Sequence, residues 1–214
     1  MNDLSRPKGE GGVKPDWKDA PMNTHIAPAR AESVLRITIG VDPGISGALV
    51  VLADGEPVQF VDMPTYARAS GGNEVDPFRM SAIVRGIVQQ HSGTFISAAL
   101  EPPSTRPGES PTRGQRSGES YGIVKGVLGA HGIRWCEVRP QTWKKYFGLI
   151  GTEKDDARLY AIKRHPAATS CMARKKDNGR ADALLIARWA WETESFETNA
   201  GTRVAPDMFK GVAA

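Results

Sequence analysis

The 214-residue sequence has few cysteines, few histidines and no long apolar run. Its two cysteines, Cys136 and Cys171, cannot build a disulfide framework, and their separation matches no zinc-binding pattern. No apolar segment approaches the roughly 20 residues that a transmembrane helix needs. The first eighteen residues lack the apolar centre of a secretory signal. These absences argue against a disulfide-stapled secreted domain and a membrane-spanning protein, and we expect a reducing compartment.

Positive charge is unevenly distributed along the chain. The whole protein has a net charge of +4, whereas the segment 134–180 contains twelve basic and five acidic residues, a net charge of +7. Such a basic footprint suits a polyanion, and nucleic acid is the first candidate. An ordinary solvated surface is the alternative explanation for a run of charges.

Composition divides the chain into three parts. Residues 1–33 are rich in Pro, Gly, Lys and Asp without an apolar period, which predicts a flexible N-terminal tail. Residues 34–194 carry the periodic apolar patterns of one folded domain, and residues 195–214 are expected to form a C-terminal tail.

The order of predicted elements indicates the fold class. Three β-rich segments joined by tight turns come first, and helices then alternate with two more strands. The predicted strands are 34–41, 46–53, 57–63, 95–101 and 133–138; the predicted helices are 76–91, 120–130, 140–147, 153–164 and 181–191; residues 102–119 are expected to be a loop. This order predicts an α/β protein with a mixed five-stranded sheet flanked by helices, the arrangement of the ribonuclease H-like fold.

Four acidic residues stand where elements end or begin. Asp42 and Glu101 each end a strand, Asp182 lies in the first turn of the last helix, and Asp177 lies five residues before it. Each has an ordinary alternative role: a turn, a solvent-facing strand end or a helix-dipole contact.

We expect these acids to converge, because the first and fourth strands are neighbours in this topology and the last helix packs across their ends. Carboxylates share a small space only with a cation, and oxygen ligands favour Mg²⁺ or Mn²⁺. Two such ions about 3.5–4 Å apart can clamp the oxygens of a phosphodiester. The pattern therefore predicts a nuclease.

Three blocks resemble the RuvC-like Holliday-junction resolvases, in particular divergent phage-type members. They are IGVDPGISGALVVL (39–52), AALEPP (98–103) and GRADALLIA (179–187), and FGLIGTEKDDARLYA (147–161) resembles the family's Gly-x-Gly-x-x-x-Lys block. The resemblance covers residues 36–192. It implies a cytoplasmic, Mg²⁺-dependent homodimer, in a bacterium or phage-infected cell, that nicks four-way DNA junctions in recombination and repair, with Mn²⁺ as a substitute ion.

The resemblance also implies roles for single residues. Asp42, Glu101 and Asp182 would be catalytic metal ligands, and Lys154 would bind the scissile phosphate or stabilise charge there. The family's fourth acid lies three residues before the helix aspartate; that position here is Gly179, so Asp177 as a ligand would require a short insertion. Contacts to branched DNA are expected from a loop and from a basic-aromatic group, with Trp143 itself in the core: Arg106, Arg113, Arg116, Tyr121, Lys144 and Lys145.

Several alternatives remain open at this level. The same fold could cut flaps, forks or R-loops, since junction preference depends on dimer geometry. A binding protein that has lost catalysis would explain the displaced Asp177. An actin- or hexokinase-like phosphotransferase would fit the loop Asp42–Ser46, although that family needs a second phosphate loop and a second domain, and the chain shows neither.

Overall fold

The structure is a computed structural model that describes residues 35–104, 108, 110–153 and 155–193. The predicted N-terminal tail, 1–33, and C-terminal tail, 195–214, lie outside the described residues, so both stay predictions. No helix in the described part is long and apolar enough to cross a membrane.

A five-stranded mixed sheet forms the centre of the domain, as the element order predicts. Its strands are β1 (Arg36–Asp42), β2 (Ala48–Ala53), β3 (Glu56–Asp62), β6 (Phe95–Leu100) and β7 (Arg134–Glu137). They lie in the order β3-β2-β1-β6-β7. The first three strands are antiparallel neighbours, whereas β6 runs parallel to both β1 and β7. The predicted fold class is confirmed.

Helices cover both faces of this sheet. Helices α1 (Pro77–Gln90) and α2 (Pro111–Ala130) pack on one face, against Ile37, Ile39 and Val41 of β1. Helices α3 (Pro140–Tyr146), α4 (Asp156–Arg164) and α5 (Asn178–Glu192) pack on the other face, together with a 3₁₀ helix at Pro166–Met172. Side chains of β2 alternate between the two cores, as strand geometry requires.

Two segments differ from the sequence prediction. A short hairpin, β4 (Thr65–Ala67) with β5 (Asn73–Val75), stands between β3 and α1 and was not predicted. Helix α2 begins at Pro111, so the predicted loop 102–119 is wrong over its second half. The helix starts there because Ser110 caps it and Pro111 occupies its first turn, although the following residues are polar and exposed.

Helix α5 lies unusually close to strand β1, and a glycine allows this. A Cβ on Gly40 would lie 2.0 Å from the carbonyl oxygen of Ala183 and 2.4 Å from the amide nitrogen of Ala187. Both are backbone atoms that cannot rotate away. Gly40 therefore sets the distance between α5 and the end of β1, where Asp42 lies.

Gly40→Ala is expected to destabilise the fold by about 1–3 kcal/mol, because the added methyl group must push α5 away from the sheet. Chemical denaturation would measure the change. Gly86→Ala is the matched control: Gly86 lies within α1 with open space around it, so its replacement should stabilise the fold by about 0.5–1 kcal/mol. A Gly40→Ala protein as stable as the parent would contradict this account of the packing.

Candidate active site

Asp42 and Glu101 lie side by side at one edge of the sheet. Strands β1 and β6 are parallel, and their register pairs Val41 with Leu100, the residues just before the two acids. The Glu101 amide donates a hydrogen bond of 3.2 Å to the Val41 carbonyl, which extends the pairing to Glu101. Both carboxylates line one cavity of about 170 Å³. The structure therefore brings together these two of the four acids singled out in the sequence.

The turn after Asp42 holds its carboxylate close to the backbone. The Gly44 amide donates to Asp42 Oδ1 at 3.0 Å, and the Gly47 amide donates to the Gly44 carbonyl at 2.8 Å. A Cβ on Gly47 would lie 2.1 Å from the Asp42 carbonyl oxygen, so only glycine allows the chain to fold back here. The Asp-Pro-Gly turn therefore positions the carboxylate at the mouth of the cavity.

Trp143 holds the Glu101 carboxylate from the core side. Trp143 lies in α3 and is fully buried, as expected for core packing. Its indole Nε1 donates a hydrogen bond of 2.7 Å to Glu101 Oε2. The sequence analysis missed this contact, because nothing in the spacing of residues 101 and 143 indicates that they touch.

The pKa of Glu101 is raised to about 7, mainly because the carboxyl group is buried and also because the negative charge of Asp42 is close. The Trp143 hydrogen bond and the nearby Lys144 ammonium act in the opposite direction but do not prevail. A carboxylate pair that resists holding two negative charges is an environment that a cation would stabilise.

Asp182 lies in the first turns of α5, next to Ala183, whose carbonyl oxygen faces Gly40. Asp182 is therefore close in the fold to the end of β1, but it does not line the cavity that Asp42 and Glu101 share. Among the residues described, no three or more Asp, Glu, His or Cys side chains are arranged to hold a metal ion. The structure thus shows a carboxylate pair where the sequence predicts four converging acids, and the role of Asp182 stays a prediction.

The Asp177 carboxylate is paired with an arginine, Arg174. This carboxylate is buried, pairs with Arg174 Nη2 at 2.8 Å and accepts the Arg174 amide at 2.9 Å. Arg174 holds the pKa of Asp177 at about 2, below its usual value. This local pairing explains the acid five residues before Asp182 without a metal, so the structure gives Asp177 a structural role at the entry to α5.

Asp177→Asn is expected to lower the free energy of unfolding by about 1–2 kcal/mol at neutral pH, because charge-assisted hydrogen bonds are lost. The lowered pKa means that this stabilisation is present above about pH 4, the usual aspartate range, and disappears as the pH falls towards 2. Denaturation curves of the two proteins should therefore converge between about pH 4 and pH 2. A pH-independent difference would contradict the ion pair as its cause.

Two arginines predicted to bind DNA lie in α2 rather than in a loop. Arg113 and Arg116 both line a second cavity of about 570 Å³, and Arg113 also lines the carboxylate cavity. Arg106 and Lys154 lie outside the described residues, so their predicted roles are not addressed by the structure.

Tyr121 is engaged within the protein. Its ring packs against the core on the α1 and α2 side of the sheet, and Lys125 Nζ lies 5.0 Å from the ring centroid. Burial and the neighbouring Glu137 raise the pKa of Tyr121 above its usual value, so the phenol stays protonated. Base stacking by Tyr121 stays a prediction that these surroundings do not favour.

The basic segment 134–180 is less available to a polyanion than its net charge suggests. Four of its arginines form ion pairs with acids in the described part of the chain: Arg158, Arg164, Arg174 and Arg180. Lys144 lies over the Trp143 ring at 5.2 Å, and Lys145 is exposed at the end of α3. Of these two lysines, Lys144 is close enough to Glu101 to act on the pKa of its carboxyl group.

The chain is similar to known proteins both in sequence and in structure. No family model matches the chain. The chain is 35% identical over 92 residues to the chloroplastic Holliday junction resolvase MOC1 of Chlamydomonas reinhardtii. That match covers 42% of this chain and 10% of the relative, so the chain spans only about a tenth of that protein's length.

The RuvC protein of Thermus thermophilus, solved in complex with a Holliday junction substrate, superposes with a TM-score of 0.50. The superposition covers 79% of this chain and 99% of that protein, at 15% identity. The chain has the RuvC fold. The resemblance found in the three sequence blocks is therefore confirmed at the level of fold. A yeast mitochondrial Holliday junction resolvase superposes with a TM-score of 0.37, at 11% identity over 75% of this chain and 80% of that one.

In the RuvC fold of this chain, the carboxylate pair lies at the carboxyl ends of two parallel strands, the edge where α/β sheets generally place ligands. Arg113 of α2 lines the same cavity as the carboxylate pair. These two features are the basis for the functional proposal.

Proposed function

We propose that this protein is a metal-dependent, structure-selective DNA endonuclease that resolves four-way junctions by paired nicks. The observation that carries the proposal is the registered pairing of Asp42 and Glu101 in a cavity that Arg113 also lines. A carboxylate pair beside an arginine suits a phosphodiester, which needs both a cation site and a positive neighbour. The names of the matched proteins support the choice of junction DNA.

The donor set fits a hard divalent cation. Asp42 and Glu101 offer only carboxylate oxygens, which suit Mg²⁺ and its substitute Mn²⁺. Bound there, the ion would supply Lewis-acid activation of a phosphodiester and of the attacking water. By resemblance, Asp182 would be a third carboxylate, and Lys154 would meet the scissile phosphate.

The protein's own backbone and side-chain groups prepare this site. The Gly44 amide orients Asp42, the Trp143 indole orients Glu101, and Arg113 borders the cavity that both acids line. The buried setting of Glu101 excludes part of the solvent, which strengthens electrostatic contacts to a bound phosphodiester.

A homodimer belongs to the proposal, because paired nicks require two active sites on one junction. Glycines at four-residue intervals along α2, with open space above them, would let a second helix approach closely: Gly114, Gly118, Gly122 and Gly126. Sedimentation velocity of the full chain at several concentrations would test the oligomeric state.

The decisive experiment compares nicking of labelled four-way, forked, flap and R-loop substrates side by side in Mg²⁺, Mn²⁺ and EDTA. Symmetric, metal-dependent nicks in the four-way junction are the expected result. A preference for flaps, forks or R-loops would show that the protein is a nuclease of the same fold for those substrates and not a junction resolvase. ATP turnover without nicking would favour the phosphotransferase.

A junction-binding protein with weak catalysis is the second candidate. It is favoured by the absence, among the described residues, of a group of three acids arranged around a metal site. Binding of four-way DNA without any nick under single-turnover conditions would support it.

A further inference from the structure

The larger cavity, of about 570 Å³, is built by three segments that are far apart in the chain. Its walls are the turn at Gly44–Ser46, the hairpin β4–β5 and the N-terminal half of α2. Its lining is rich in hydroxyl groups, from Ser46, Ser110, Thr112, Ser117 and Ser120. Hydroxyls and arginines are groups that contact sugar-phosphate oxygens.

The charge of this cavity favours an anion. Three arginines and one glutamate line it: Arg68, Arg113, Arg116 and Glu74. Arg68 and Glu74 pair with each other, and Arg116 of α2 adds positive charge to the lining. Arg116 forms no ion pair with any residue that the structure describes.

The cavity continues from the carboxylate pair. Gly44, Arg113 and Ser117 line both this cavity and the one that contains Asp42 and Glu101. A strand that lies across the carboxylates therefore reaches the larger cavity with its next nucleotides. The volume lies in the range of pockets that enclose a small molecule, so it admits a nucleotide-sized piece of one strand and excludes a duplex.

The hairpin that forms one wall is held in place from behind. A two-stranded hairpin this short is marginally stable alone. Arg68 of the hairpin pairs with Glu119 of α2, and Val75 anchors the second strand in the core. Glu119 does not line the cavity, so it can stabilise the hairpin through Arg68 without contacting a ligand.

Resting on the nuclease function proposed above, we infer that this cavity binds the sugar-phosphate backbone of the DNA strand leaving the active site. Arg113 and Arg116 contact the phosphates. Glu119 is a positioning residue that holds the β4–β5 hairpin over the strand through Arg68.

The test uses anisotropy of a labelled four-way junction with the full chain in EDTA, at several salt concentrations. Arg116→Ala should weaken binding about tenfold and reduce the salt slope by about one. Arg85→Ala, an exposed arginine of α1 outside the cavity, is the charge-matched control and should leave both values unchanged. Equal effects of the two variants would overturn the phosphate contact.

Glu119→Ala separates positioning from simple charge. Removing an acid near a polyanion should tighten binding on electrostatic grounds alone. The inference predicts the opposite, a loss of roughly fivefold as the hairpin is released, with recovery in Glu119→Gln, which still accepts a hydrogen bond from Arg68. Glu137→Ala, which removes an exposed acid paired with Lys125, is the control and should not weaken binding. Tighter binding by Glu119→Ala would refute the positioning role.

Nicking of the same junction in Mg²⁺ is scored separately. If the variants change DNA binding as expected but the parent protein does not nick the junction, this inference is preserved and the nuclease proposal is refuted. If the parent protein nicks the junction and neither Arg116→Ala nor Glu119→Ala changes DNA binding, the nuclease proposal is preserved and this inference is refuted. A parent protein that does not bind DNA would overturn both.

Discussion

Asp42→Asn and Glu101→Gln should each lower the rate of junction nicking by about a thousandfold or more, because each removes a carboxylate charge from the proposed cation site. Both replacements are nearly isosteric. Asparagine can still accept the hydrogen bond from the Gly44 amide, and glutamine can still accept the one from Trp143 Nε1. The fold should therefore persist, and the loss would report on chemistry.

Junction binding should survive in both variants, since most affinity for DNA comes from cationic side chains on phosphates. Single-turnover nicking and anisotropy on the same DNA would measure the two properties. Asp54→Asn is a suitable control, because Asp54 accepts the Arg36 amide at a hairpin turn and adopts a φ of 47° that asparagine tolerates. Parental nicking rates in either active-site variant would refute the assignment.

Trp143→Phe should reduce nicking by about 10- to 100-fold, the cost typical of losing a side chain that orients a metal ligand. Phenylalanine retains an aromatic ring in the core but has no N–H to donate to Glu101 Oε2. The divalent-ion concentration that supports half-maximal nicking should rise in this variant, because Glu101 is no longer held in one orientation.

Trp135→Phe controls for the loss of indole volume. Trp135 packs against the core on the other side of the sheet and has no contact with the carboxylate pair in the structure. Urea denaturation of both variants would give their stability changes. If the two lost similar stability and showed the same dependence on metal concentration, Trp143 would have only a packing role.

Strand-end position was enough to predict the carboxylate pair. Asp42 and Glu101 each follow an apolar strand, and parallel neighbours place their carboxyl ends at the same edge of a sheet. The prediction of α2 failed over its first half for the opposite reason. Its residues 111–119 are polar and contain two glycines, so periodicity could not reveal a helix whose start depends on a Ser110 cap and on Pro111.

Asp177 shows a second limit of sequence reasoning. Its distance from Asp182 suggested a displaced metal ligand, but Arg174, three residues earlier, holds its carboxylate. Both partners were visible in the sequence. The choice between a metal and an arginine depends on which way the chain turns before α5, and the short 3₁₀ helix at Lys175–Asp177 makes that choice.

The sequence by itself determined the sheet, the helices that follow it and the edge at which two acids meet, because these depend on local periodicity and strand direction. Only the tertiary structure decided that Trp143 binds Glu101, that Arg174 occupies Asp177, and that a hairpin and α2 enclose a basic cavity beside the site. These features are pairings of particular side chains and close approaches between segments. They depend on distances of a few ångströms, and the linear order of residues does not specify such distances.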